Sequence, residues 1–168
     1  TANSNSIDHT IEDLILLISQ VLEWKLQNNN KYHTELVNKL IDLGYYTETS
    51  FISLNYDILI DNAITLRVDA VDLDYGIDLM NYKFEHAWYP PDVSRSIKLL
   101  KIHGSLNWLY CPICKKVEIT PKEKGVTQLL DRNNSRKRCR LCDGRYSPIL
   151  IPPTYFKVMS NPYLIQIW

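Results

Sequence analysis

Two matched cysteine pairs, Cys111-Pro112-Ile113-Cys114 and Cys139-Arg140-Leu141-Cys142, constrain this chain more than any other feature. A Cys-x-x-Cys spacing presents two sulfurs together, and the loop between the pairs is long enough for them to meet. Four thiolates are the ligand set of a closed tetrahedral site, so Cys111, Cys114, Cys139 and Cys142 are the expected ligands of a structural Zn2+. The alternative is a disulfide framework, with three pairings open. Thioredoxin-like redox chemistry fits less well, because it needs one pair at a helix start rather than two matched pairs. The first residues carry no basic leader and no small-residue cleavage site, which points to a reducing cytoplasmic setting where thiolates go to metal.

The chain has 168 residues, near the size of one ordinary domain, so any small module must share its core. Nineteen basic and nineteen acidic residues cancel. The net field therefore gives no reason to expect a nucleic acid or an anionic membrane as partner. The longest apolar run, Leu14 to Ile18, is far short of the ~20 residues of a bilayer span, and no membrane helix is expected.

Ile11, Leu14, Ile15, Ile18 and Leu22 recur at helical spacing and predict a first helix that Asn28-Asn29-Asn30 ends. A second stripe, Leu36, Val37, Leu40 and Ile41, runs to Gly44, a residue suited to the left-handed turn after a helix. Phe51-Ile52-Ser53-Leu54 reads as a strand buried in a parallel sheet, followed by the polar Asn55-Tyr56-Asp57 and a helix from Ile58 to Leu66. Residues 67–92 show no steady period. Ile97, Leu99, Leu100 and Ile102 make a second buried strand, with His103 and Ser105 at its carboxyl end. After the cysteines, Tyr146 to Pro153 suggests a short strand returning to the main layer. The expected architecture is α/β: a partial Rossmann-like parallel sheet with flanking helices over 1–110, an inserted zinc ribbon over 111–146, and a return to the α/β part over 147–168.

Open parallel sheets bind ligands outside the carboxyl ends of their strands, and Asn55, Asp57 and His103 all fall there. Each alone is a weak signal, since Asn-x-Asp before a helix is usually a cap and a lone histidine usually a core hydrogen-bonding group. Together they carry a resemblance. Ser53-Leu54-Asn55-Tyr56-Asp57 resembles the Thr-Gln-Asn-Ile-Asp segment of sirtuins. His103-Gly104, followed by the two Cys-x-x-Cys pairs, resembles their catalytic His-Gly and zinc module. The wording looks most like the divergent SIR2-like domains of bacterial proteins, many of them linked to NAD-depleting defence, and it covers roughly residues 50 to 155.

That resemblance implies cleavage of the nicotinamide–ribose bond of NAD, with hydrolysis preferred to protein deacylation. It implies that Ser53, Asn55, Asp57 and His103 contact the cofactor. Asn55 would hold the ribose or the attacking water, Asp57 the nicotinamide carboxamide, and His103 would be the general base, taking a proton from a ribose hydroxyl. The zinc, with four thiolates, would have no open position and would be structural. Two departures stand against the pattern. Leu54 replaces the usual Gln, which weakens the deacylase reading and with it an acyl-lysine peptide as partner. No Gly-Ala-Gly-x-Ser phosphate loop precedes Asn55, so the expected cofactor site is incomplete and the chain reads as part of such a domain or a cut-down version. A non-catalytic zinc-binding scaffold that serves protein partners is the competing class.

The other motifs have plainer readings. The run Arg132, Arg136, Lys137, Arg138 and Arg140 reads as a solvated loop rather than a nucleic-acid patch, since no aromatics interleave. Asp69, Asp72, Asp74 and Asp78 break the EF-hand order at Gly76. The four tryptophans read as core or ribbon packing. His9, His33 and His86 have no nameable partner and receive no function.

Overall fold

The computed structural model describes residues 2–25, 31–67, 69–77, 80–81, 91–119, 138–139, 141–151 and 161–168. Among these, helix α1 (Ala2–Lys25) and helix α2 (Lys31–Asp42) lead into strand β1 (Ser50–Ser53) and helix α3 (Leu59–Thr65). Strands β2 (Asp72–Asp74), β3 (Met80–Asn81), β4 (Ser96–Lys101), β5 (Gly104–Tyr110), β6 (Val117–Ile119) and β7 (Ser147–Leu150) follow. A short helix α4 (Pro162–Ile167) comes last.

The second helix ends as its glycine predicts. Gly44 has φ +73°, its N–H donates to Ile41 O at 3.0 Å, and Tyr45 N–H reaches back to Leu40 O at 2.9 Å. Those two bonds make a Schellman motif, which satisfies carbonyls the helix end would otherwise orphan.

The first sheet is parallel and three-stranded, in the order β1-β4-β2, with β4 at its centre. Ile97 and Leu99 of β4 are fully buried, as a central parallel strand requires. The predicted strand at 51–54 is present but lies at the sheet edge, and Ile52 is 67% exposed rather than buried. The segment 67–92, without a legible period, contains the other edge strand, β2. Only three residues long and flanked by aspartates, it gives no alternation to read.

The second sheet runs β3-β6-β5-β7, with β5 antiparallel to both of its neighbours. Strand β5 is buried along its whole length, and Leu106, Trp108 and Leu109 are fully enclosed. Ser105 therefore lies inside this strand and not in a loop at a strand end. The strand expected after Tyr146 forms as β7, which hydrogen-bonds to β5 in this second sheet. The molecule is thus mixed α/β with a three-stranded parallel sheet and a second, mostly antiparallel one.

One apolar cluster joins the two layers. It contains Val37 and Ile64 from the helices, Leu99 from the parallel sheet, Trp108 and Ile149 from the second sheet, and Leu164 from α4. At ~1.5–3 kcal/mol per fully buried apolar side chain, this shared cluster is the main cohesive element. Of the other tryptophans, Trp24 and Trp168 are mostly exposed rather than core, and Trp88 lies outside the described residues.

Candidate functional site

Strands β1 and β4 pair in register, Ser53 opposite Lys101, so the chain leaves both carboxyl ends side by side. After β1, the Ser53 hydroxyl accepts from Asn55 N–H at 3.3 Å, and Asp57 Oδ1 accepts from Leu59 N–H at 3.0 Å. The second bond satisfies a first-turn amide of α3, so Asp57 is a helix-capping residue whatever else it does. Tyr56 ties the loop down on both sides: its hydroxyl donates to Ile151 O, and its carbonyl accepts from Leu106 N–H at 3.0 Å. Asn55 is exposed and Asp57 half-buried. Both line a cleft of about 360 Å³ whose other walls are Leu22, His33, Leu54, Tyr56 and Leu59. An adjoining cleft is lined by His33, Leu54 and Asn55 together with Ser53 and Phe51.

His103 occupies the turn between β4 and β5. Its Nδ1 lies 3.1 Å from Leu54 O, which brings the imidazole against the same loop that carries Asn55 and Asp57. A carbonyl only accepts, so Nδ1 carries the proton and, in the neutral ring, Nε2 is the basic nitrogen. Tyr56 and Trp168 flank the ring, with centroids 6.4 and 6.2 Å away. The His103 ring is not part of the cleft wall that Asn55 and Asp57 build; the Leu54 carbonyl is what joins the two.

The glycine after His103 is required by the backbone. Gly104 has φ +84°, and a Cβ there would stand 1.8 Å from Ile149 O on β7. Only a residue without a side chain permits both the turn out of β4 and the close approach of β5 to β7.

Beneath the two strand ends lies a buried polar network that sequence reasoning missed. The Lys101 and Asp61 side chains are 0% and 3% exposed and form an ion pair at 3.3 Å. Lys101 Nζ also donates to Asp57 O, and the Tyr75 hydroxyl donates to Asp61 Oδ1. Asn107 Nδ2 reaches the Tyr75 oxygen at 3.3 Å. Burial, then the Asp61 charge, holds the Tyr75 phenol well above its ordinary pKa and therefore neutral. The network spans β4, α3 and β5 and fixes the loop carrying Asp57. A signal was available: Ile97, Leu99 and Lys101 alternate, so the lysine shares the inward face of β4.

The four cysteines close the other end of the second sheet. Strands β5 and β6 pair up to Tyr110–Val117, so Cys111 to Lys116 is the turn of a hairpin. Arg138 pairs with Arg145 across the second turn, Cys139 to Gly144. The two turns share one hydrogen-bond pattern. Lys115 N–H bonds to Cys111 O at 2.9 Å and Asp143 N–H to Cys139 O at 2.8 Å, while Cys111 N–H bonds to Lys116 O and Cys139 N–H to Gly144 O. Lys115 (φ 61°) and Asp143 (φ 57°) are both left-handed. Gly144 is needed where it stands, because a Cβ would lie 3.0 Å from Cys111 Sγ and 3.3 Å from Cys142 Sγ.

All four sulfurs lie within 4.8 Å of one another, with Cys111–Cys142 at 3.4 Å and Cys114–Cys139 at 3.6 Å. A tetrahedron of ~2.3 Å metal–sulfur bonds has edges of roughly 3.8 Å, so the group could hold a metal ion such as zinc. Burial opposes ionisation of Cys111, but hydrogen bonds from the Cys114 backbone and the Cys142 thiol outweigh it and lower its pKa to about 7. Burial raises Cys114 to about 12. A bound dication would favour the thiolate form of all four. Helix α4 links this end to the histidine: the Tyr163 hydroxyl donates to Lys115 O at 2.6 Å and Trp168 Nε1 to Ile102 O at 2.7 Å.

Among the described residues, no helix is long and apolar enough to cross a membrane. Of the basic run, Arg138 pairs locally with Asp143 at 3.3 Å; Arg132, Arg136, Lys137 and Arg140 lie outside the described residues, as does Asp78 of the acidic group. No family model matches the chain, and no curated protein or solved structure matches it significantly.

Proposed function

We propose that the chain is a SIR2-like, zinc-braced unit that cleaves the nicotinamide–ribose bond of NAD, with water as the preferred nucleophile. The observation that carries this reading is the adjacency of the Asn55–Asp57 loop and His103 at the carboxyl ends of neighbouring parallel strands, bridged by the Leu54 carbonyl. In the proposed reaction the glycosidic C–N bond breaks with its electron pair going to the nicotinamide nitrogen, which leaves neutral. The anomeric carbon, with oxocarbenium character, takes the oxygen of a water held by Asn55. Asp57 offers a carboxylate oxygen to the carboxamide N–H while the other caps α3. His103 Nε2, its ring held in the basic tautomer through Nδ1, takes a ribose hydroxyl proton, and the ribose oxygen takes in turn the proton that the adding water gives up, so that one proton ends on the imidazole. Zinc at Cys111, Cys114, Cys139 and Cys142 supplies rigidity and takes no part in the chemistry. A deacylase would use an acyl-lysine carbonyl as nucleophile instead.

The test is nicotinamide release from NAD by the protein extended at both flanks, with and without an acyl-lysine peptide, since the residues of this chain alone leave the cofactor site without a phosphate loop. Release without peptide is expected, and His103→Ala should lower it about 10²-fold or more while zinc content and fold are kept. Release strictly dependent on peptide would replace hydrolysis with deacylation. A second reading, a non-catalytic zinc scaffold, is favoured by one observation: Asp57 and His103 both already serve the backbone. An intact, zinc-loaded protein without nicotinamide release decides for it.

A further inference from the structure

Tyr146 follows the second cysteine turn, 6% exposed, and its hydroxyl is enclosed without a well-aligned hydrogen bond. A buried hydroxyl left so costs free energy, which a partner of the right kind would recover. The strand pairing says where that partner is. Arg138 and Arg145 face each other across the turn, so Cys139 and Tyr146, the next residue in each arm, both point to the opposite side. The Cys139 N–H continues the pairing at 2.8 Å from Gly144 O. Cys139 and Tyr146 are thus diagonal neighbours, a spacing that an aromatic side chain spans.

Both pack in the apolar cluster that also holds Cys111. Leu109 of β5 belongs to that cluster and pairs with Glu118 of β6, which is 1% exposed. The groups facing the Tyr146 hydroxyl are accordingly the Glu118 carboxylate and the Cys139 sulfur. The phenol has one proton to give, and both neighbours accept. A thiol accepts weakly, whereas a thiolate carries charge and takes a stronger bond. Metal binding makes that change, since a sulfur ligates as the thiolate. Four thiolates around a dication leave a net negative charge, which backbone N–H groups of the turns already answer in part. Those of Ile113 and Cys114 serve Cys111, that of Lys116 serves Cys114, and that of Gly144 serves Cys142. A hydroxyl at Cys139 continues the pattern with a side chain.

We propose that Tyr146 is a positioning residue of the metal site: its hydroxyl donates to the Cys139 thiolate when a metal is bound, in preference to Glu118, and so holds that sulfur on the metal. The proposal rests on the four cysteines holding a metal and is independent of the NAD reading. The experiment uses the full chain loaded with cobalt, whose sulfur-to-metal charge-transfer bands report electron density on the ligand sulfurs, together with zinc affinity by chelator competition. Tyr146→Phe should move those bands to lower energy, because a thiolate that loses a hydrogen bond gives up electrons more readily, and should weaken zinc binding about tenfold. The tetrahedral d–d bands should persist, since all four ligands remain. Tyr163→Phe removes a hydroxyl bond to Lys115 O at the same end without touching a sulfur, and should leave the charge-transfer bands in place. In the parent loaded with a magnetically active cadmium isotope, the Tyr146 hydroxyl proton should couple to the metal through Cys139 Sγ. That measurement needs no variant and decides the matter if Tyr146→Phe does not fold.

Bands unmoved in Tyr146→Phe would assign the hydroxyl to Glu118 and overturn the proposal. Bands moved as far by Tyr163→Phe would do the same, by showing a general loosening of the turns. So would a hydroxyl proton that is uncoupled to cadmium or exchanges too fast to be seen. A parent that takes up cobalt without sulfur bands would remove the metal reading itself, and this inference with it.

Discussion

Lys101 shows how much one side chain can decide at the residue scale. A lysine among Leu99, Leu100 and Ile102 invites placement on a solvent face, yet its ammonium is enclosed, because Asp61 arrives from α3 and the Asp57 carbonyl from the loop above. Breaking such a pair leaves one buried charge uncompensated, which costs about 3–5 kcal/mol, whereas neutralising both partners costs far less. Lys101→Met should therefore lower the free energy of urea unfolding by about that amount. The double variant Lys101→Met with Asp61→Asn should regain at least half of it, since the amide oxygen can still accept from Tyr75. A double variant as unstable as the single one would show that the ion pair is incidental. The clustering of the four cysteines was legible because chemistry and spacing coincide within each four-residue Cys-x-x-Cys pair. The Lys101–Asp61 pair was harder to see because its partners lie 40 positions apart and only the fold brings them together.

At the scale of elements, legibility followed length and period. Helices α1 and α2 carry several turns of apolar stripe, and the Gly44 stop matches its backbone. Strand β5 has no alternation to betray it, because both of its faces are covered, and its seven residues sit between two motifs that draw the eye, His103-Gly104 and Cys111. The two cysteine turns are equivalent in a way that spacing alone does not express. Each places the residue after its second cysteine in the left-handed region, yet those residues are Lys115 and Asp143 rather than glycine. A non-glycine residue there bears a strain of roughly 1–2 kcal/mol, less for aspartate, whose short side chain tolerates it. Lys115→Gly should thus raise thermal stability by up to about 1 kcal/mol and Asp143→Gly by less, part of each gain being offset by glycine's greater freedom when unfolded. Calorimetry on the metal-loaded chain measures both. A fall in stability for Lys115→Gly would mean that the lysine side chain contributes more than its backbone strain costs.

Across the whole molecule the decisive fact is that, among the described residues, the two cysteine turns and the parallel sheet have no independent cores. Cys111 and Cys139 pack in a cluster with Ile15 of α1, Ile58 before α3, and Leu106 and Leu109 of β5. The larger cluster runs from Val37 through Leu99 to Trp108 and Ile149. Strand β5 contributes to both, so loosening the turns that end it must reach the helices through side chains they share. Metal bound only by the folded chain adds its binding free energy to folding, and acidification weakens it because protons compete for the thiolates. Removing the metal with a chelator should accordingly lower the unfolding midpoint of the entire chain in one step. Helix circular dichroism and the fluorescence change that accompanies exposure of Trp108 should shift together, and lowering the pH should release zinc over the same range in which the midpoint falls. Two separated transitions, with the helices melting where they did before chelation, would mean that the sulfur-bound turns fold as a unit apart. In that case the metal would not brace the loop carrying Asn55 and Asp57, and His103 would owe its position to the parallel sheet alone.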